Sequence, residues 1–215
     1  MKAFVSWSGG KDCMFALNKF LQNPKNEICA LVNILHHDGG TLGHHFKPDL
    51  LQRQAICMNL SIIQKTAAFH NYEIILKQII AELKEEGLDC GVFGDIYLEE
   101  HRVWIEKVCA EMDIKAVFPL WGQPTKFLLK EFIELNFESI VVAIDLHKLD
   151  RSWLGRKLDH EFYNKILQLP EIDPCGENGE FHTFVYNGPH FQKQVYFEIG
   201  EAINLNDDQL FIKLN

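Results

Sequence analysis

The stretch Ser6-Trp7-Ser8-Gly9-Gly10-Lys11-Asp12-Cys13 concentrates the groups that an anion needs. Two consecutive glycines admit backbone angles that side chains forbid and let a ligand approach the main chain closely. Their N–H groups, with those opening a following helix, can converge on a phosphate that the helix dipole also favours. Lys11 adds positive charge and Ser8 a hydroxyl donor. The Walker spacing G-x-x-x-x-G-K-[ST] and the dinucleotide spacing G-x-G-x-x-G are both absent. The stretch is therefore a phosphate loop of another kind, or a plain Gly-Gly turn with a solvated lysine. Cys13 is a secondary candidate nucleophile, because a helix start and Lys11 would both favour its thiolate.

A second polar concentration runs from Asp173 through Pro174-Cys175-Gly176-Glu177-Asn178-Gly179-Glu180 into Phe181-His182-Thr183-Phe184-Val185. Glu177 and Glu180 have the chemistry to hold a metal or orient an amine, and His182 and Thr183 add polar groups. The competing reading is an Asn-Gly turn opening a hairpin. Asp95 follows Gly94 at the end of an expected strand, where it faces a cleft or caps a helix. Asp145 closes another strand and is a candidate for magnesium or ribose, against a simple turn. Trp121 either stacks on a nucleotide or packs. His36-His37 and His44-His45 invite a metal site, but adjacent histidines point apart on a strand and no carboxylate completes the set. The intervening Asp38–Gly43 segment reads instead as a lid, with His45 near the substrate.

These groups need a scaffold. Apolar runs at Ala3–Trp7, Ile28–Leu35, Leu60–Gln64, Cys90–Phe93, Ala116–Leu120 and Ser139–Ile144 predict strands. Amphipathic stretches at Asp12–Leu21, Asp49–Met58, Tyr72–Glu86, Tyr97–Met112 and Thr125–Leu135 predict intervening helices. Alternating strands and helices imply a parallel sheet covered on both faces, and Ile140–Ile144 is apolar throughout, as burial on both faces requires. The Gly-Gly turn then lies at the carboxyl end of the first strand, where open α/β sheets bind ligands. After about Asp145 the pattern changes to a helix over Leu158–Leu167 and strands at Phe181–Tyr186, Gln194–Ile199 and Gln209–Leu214. The expected division is residues 1–145 and a smaller α+β unit over 146–215.

In 215 residues the chain carries 21 Lys and Arg against 30 Asp and Glu, a formal net charge of -9. That field repels phosphate backbones and argues against duplex nucleic acid, while leaving room for a small anion at a local site. No apolar run approaches the roughly 18–20 residues of a membrane span. Met1–Trp7 reads as a strand rather than a targeting leader. The six cysteines lack zinc or redox spacings and sit among apolar neighbours, the pattern of reduced thiols in the cytoplasm.

Ser8-Gly9-Gly10-Lys11-Asp12 resembles the pyrophosphate loop, S-G-G-x-D-[ST], of the N-type ATP pyrophosphatases, with Cys13 where that pattern has Ser or Thr. Gly176–Thr183 followed by Asn187-Gly188-Pro189 resembles the signature of the diphthine–ammonia ligase family within that superfamily. Gly94-Asp95-Ile96, Pro119-Leu120-Trp121 and Leu154-Gly155-Arg156 fall in that family's order and spacing. Two departures stand out: the S-x-Y-Q element after Gly94 is missing, and His182 replaces an acid.

The resemblance implies a HUP-type Rossmann-like sheet: a nucleotide-binding unit over 1–145 and a substrate-binding unit over 146–215. It implies ATP and Mg²⁺ as cofactors, cleavage to AMP and pyrophosphate, and amidation of a carboxylate by ammonia. The acid it names is diphthine on elongation factor 2, and the assembly left open is a homodimer. It implies Ser6, Ser8, Gly9, Gly10, Lys11, Asp12, Cys13 and Asp95 around ATP, and Asp12 and Asp145 around the metal. Lys11, Asp12, Glu177 and Glu180 are then the catalytic set, with His45, Glu177, Glu180, His182 and Thr183 on the substrate. The alternatives are a paralogue acting on another acid, a non-catalytic nucleotide-binding module of the universal-stress kind, and tRNA thiolation.

Overall fold

The computed structural model describes residues 1–36, 47–205 and 208–215. Strands β1 (Lys2–Ser6), β2 (Glu27–His36), β3 (Ile62–Ala67), β4 (Cys90–Val92) and β5 (Lys115–Val117) form a sheet in the order β3-β2-β1-β4-β5. Every pairing in it is parallel. The helices are α1 (Lys11–Leu21), α2 (Pro48–Cys57), α3 (Tyr72–Glu85), α4 (Glu99–Glu111) and α5 (Thr125–Glu134), with α6 (His160–Ile166) further on.

Strand alternation divides the interior. Ala3 and Val5 of β1 face one cluster with Met14 and Leu17 of α1 and Leu50 and Leu51 of α2. Phe4 faces the other, with Ile79 and Ile80 of α3 and Val108 of α4. Because both faces are covered, the central strands are apolar without a polar side. The expected Rossmann-like sheet with helices on both faces is therefore present.

The expected sixth parallel strand requires correction. Strand β6 (Glu138–Asp145) pairs antiparallel with β7 (Phe181–Asn187) and β9 (Gln209–Leu214), and β9 pairs with β8 (Ile199–Asn204), in the order β7-β6-β9-β8. The change of sheet thus falls between Val117 and Glu138, upstream of Asp145. An all-apolar run signals burial on both faces but not the direction of the neighbours. Here the burial comes from packing the second sheet against α1 and α5 within the first cluster.

The strand expected at Gln194–Ile199 is displaced as well, since the ladder begins at Ile199. Val195 and Phe197 put their alternation into packing: Val195 is buried, its N–H bonds the Tyr186 carbonyl at 2.8 Å, and Phe197 meets Tyr186 edge-on. Among the described residues no helix is long and apolar enough to cross a membrane.

Candidate functional site

Strand β1 hands the chain to the Gly9-Gly10 turn, and α1 starts at Lys11 with Gly10 as its cap. Gly9 has φ +83°, and a Cβ there would run into Leu51 Cδ2 and lie 3.2 Å from Gln54 Oε1. Its carbonyl accepts the Val185 N–H at 3.0 Å and the Gln54 amide at 3.1 Å. Gln54, fully buried, also donates to the Val185 carbonyl at 2.6 Å and accepts from the Trp7 indole at 2.8 Å. The turn is thereby clamped between α2 and β7.

Lys11 tightens the same junction. Its N–H donates to Thr183 Oγ1 at 3.0 Å, and its ammonium donates to Asp12 Oδ2 at 2.8 Å and to the Cys175 carbonyl. The side chain is almost completely buried and lies 5.4 Å from the centre of the Phe181 ring. Burial opposes its charge, but Asp12, Cys175 and Glu177 outweigh burial and raise its pKa. The ammonium is a fixed positive charge beneath the loop.

Around this junction lies a cavity of about 350 Å³, lined by Ser6, Ser8, Lys11, Asp12 and Cys13 on one wall and Glu177, His182 and Thr183 on the other. Val32, Asn33 and Ile34 of β2, Tyr72 of α3, and Asp95 and His101 at the start of α4 complete it. It opens at the carboxyl ends of β1 and β4, where the strand order reverses. Gly94 is needed there, because a Cβ would come within 2.8 Å of the Asp12 backbone.

Three carboxylates share this space. Burial pushes Glu177 up to about 7, with repulsion from Asp12 second, against the pull of the Ile96 N–H and Lys11. Burial also raises Asp12, opposed by Lys11, and raises Asp95, opposed by His101. Glu177 Oε1 accepts the Ile96 N–H at 2.9 Å, joining the acidic loop to the segment after β4.

Other expected residues fall elsewhere. Glu180 is 1% exposed and outside the cavity lining. Its carboxylate accepts from the Asp173 N–H at 3.1 Å and from the Asn178 N–H at 2.9 Å, so it shapes the loop that presents Glu177. Asp145 ends β6 in the second sheet, caps the His147 N–H at 2.9 Å, and is not among the lining residues. Trp121 also lies outside the lining, with the Arg102 guanidinium 4.6 Å from its ring centre.

The thiolate expectation for Cys13 is corrected. Burial raises its pKa, against the pull of Ser8 and of the Ser8 and Gly9 amides, and its thiol donates to the Gly10 carbonyl at 3.2 Å. The position of His45 and the lid reading of 38–43 lie outside the described residues.

Several lining or supporting residues escaped the sequence reading. Gln54 carried a signal, a polar residue flanked by Leu50, Leu51 and Ala55 on the apolar stripe of α2. Asp173, which opens the acidic stretch, serves its turn: the carboxylate accepts the Cys175 N–H at 2.8 Å. Asn33, Tyr72 and His101 carried none, because only the fold brings them to one cavity.

A family model of the diphthamide synthase N-terminal domain matches residues 1–116, and one of the diphthamide synthase C-terminal domain matches residues 124–210. The chain belongs to the diphthamide synthase family. Among curated proteins it is 26% identical to the diphthine–ammonia ligase of Rattus norvegicus, over 94% of this chain and 85% of that protein. To the human diphthine–ammonia ligase it is 27% identical at the same coverages. The diphthine–ammonia ligase of Schizosaccharomyces pombe is 26% identical over 94% of this chain, which spans 37% of that protein's length. The crystal structure of a predicted tRNA methyltransferase subunit from Methanocaldococcus jannaschii aligns with 91% of this chain at a TM-score of 0.44 and 20% identity. Both matched parts of this diphthamide synthase family member contribute to the cavity, residues 6–13 from one and 176–183 from the other.

Proposed function

We propose that the chain is an ATP-dependent, AMP-forming ligase that adenylates a carboxylate and amidates it with ammonia. The observation that carries this reading is the shared cavity: a Gly-Gly loop at a helix N-terminus forms one wall and an acidic loop the other. Its volume is that of a small-molecule site. In this reading the triphosphate runs along Ser8–Asp12, and the nucleoside lies toward Val32–Ile34 and Tyr72. The acid attacks the α-phosphorus, and pyrophosphate departs against the loop amides and the helix dipole. Lys11, fixed below, offsets the growing negative charge.

Magnesium belongs to the same proposal. Asp12, Asp95 and Glu177 line one cavity, where Asp12 raises the pKa of the other two and Asp95 that of Glu177, an electrostatic setting that accepts a cation. Among the described residues no group of three or more His, Cys, Asp or Glu side chains forms a metal site. That suits an ion that arrives with the triphosphate and takes only one or two protein carboxylates. Asp12 would hold it, and bound there it would neutralise phosphate charge; Asp145 is too committed to its turn.

The relatives are diphthine–ammonia ligases, which makes diphthine, carried on elongation factor 2, the first acid to test. The six free cysteines support a cytoplasmic setting. The test is to incubate the protein with ATP, magnesium, ammonium and diphthine-bearing elongation factor 2, and identify the products. AMP and pyrophosphate are expected, and Lys11→Met should slow their release by about 10²–10³-fold while the chain stays folded. Formation of ADP would contradict the reading.

A further inference from the structure

Beside the phosphate loop, His101 Nδ1 lies 3.3 Å from Asp95 Oδ1, and both side chains line the cavity. The imidazole is 63% exposed and the aspartate 19%. Asp95 is held on both sides by its chain neighbours. Gly94 abuts the Asp12 backbone, and the Ile96 N–H is gripped by Glu177. The dyad therefore stands between the two walls of the site. Resting on the ligase reading above, we propose that His101, oriented by Asp95, is the general base of the amide-forming step.

The chemistry requires such a group. Ammonia in neutral water is mostly ammonium, which has no lone pair to attack with. Lys11 is bound to Asp12 and the Cys175 carbonyl, and one oxygen of Glu177 holds the Ile96 N–H. With Nδ1 engaged by Asp95, Nε2 is the nitrogen of His101 that a reactant would use. His101 is the third residue of α4 and lines the cavity from there.

In the step, Nε2 takes a proton from ammonium, and the freed nitrogen lone pair attacks the acyl carbon of the acyl-adenylate. The C–N bond forms, the bond from the acyl carbon to the AMP oxygen breaks, and the electron pair leaves on AMP. The nitrogen then sheds a second proton to solvent. Acyl-adenylate and ammonium become amide, AMP and two protons. The exposed ring returns its own proton to water.

Hydroxylamine isolates this role, because it is a neutral nucleophile at neutral pH and traps an acyl-adenylate as a hydroxamate without prior deprotonation. With diphthine-bearing elongation factor 2, His101→Gln should lower amide formation from ammonium chloride by about 10²–10³-fold, and leave ATP–pyrophosphate exchange and hydroxamate formation within about threefold. Asp95→Asn should also lower amide formation from ammonium chloride, by about tenfold. A His101→Gln enzyme that amidates normally, or that loses exchange and hydroxamate as severely as amide, overturns the proposal alone. A wild-type enzyme that shows no pyrophosphate exchange overturns the ligase reading and this proposal together.

Discussion

Gly9 illustrates how one residue sets the site. A side chain there would be strained at positive φ and would collide with α2. Gly9→Ala should cost roughly 2 kcal/mol or more of stability, read as a lower urea midpoint at constant slope. The neighbouring thiol is a milder case. The Cys13 thiol lies 3.5 Å from Ser8 Oγ and donates to the Gly10 carbonyl at 3.2 Å, and a hydroxyl hydrogen-bonds phosphate better than a thiol. Cys13→Ser should tighten ATP binding by about threefold to tenfold in calorimetric titration. Glu177 makes a prediction about pH. Its folded pKa of about 7 lies above the ordinary carboxylate value, so the protonated form is stabilised by folding. That contribution is complete below the unfolded pKa and is lost as pH rises toward and through about 7. Glu177→Gln should therefore melt a few degrees above wild type at alkaline pH, and the gap should close on acidification. At this scale the strand–turn–helix placement of Ser8–Asp12 was legible, because two glycines between an apolar run and an amphipathic run are a local signal. Glu177 and Glu180 look alike in sequence, and only the fold turns one carboxylate to the cavity and the other into its own loop.

Among the elements, α2 has a larger role than its pattern suggests. Gln54 ties the β1 turn, α2 and β7 together with one amide. Gln54→Leu keeps the volume but leaves the Trp7 N–H without its acceptor and the Val185 carbonyl without its donor. It should destabilise the protein by roughly 2–4 kcal/mol and weaken ATP binding with it, measured by thermal melts and titration on the same samples. Periodicity located every helix within a residue or two. It misassigned β6 because an apolar run carries no information about strand direction, and it misplaced β8 because Gly200, Glu201 and Asn204 make a weakly patterned edge strand. Pairing partners are a tertiary property, and these two strands are where the sequence reading ran out.

Taken whole, the molecule places two sheets around one interior. The cluster containing Ala3 and Val5 of the parallel sheet also contains Ile140 of β6, Phe184 of β7 and Phe211 of β9. The Gly9-Gly10 loop is bonded to β7 and to the Cys175 turn, so neither part of the chain presents the cavity alone. The central claim is that the amides of Ser8–Asp12 receive the pyrophosphate end of ATP. A crystal structure with magnesium and a non-hydrolysable ATP analogue tests this most directly. The β- and γ-phosphates should lie against those amides, with the base between β2 and Tyr72. Phosphates bound elsewhere in the cavity, or amides turned away from them, would contradict it.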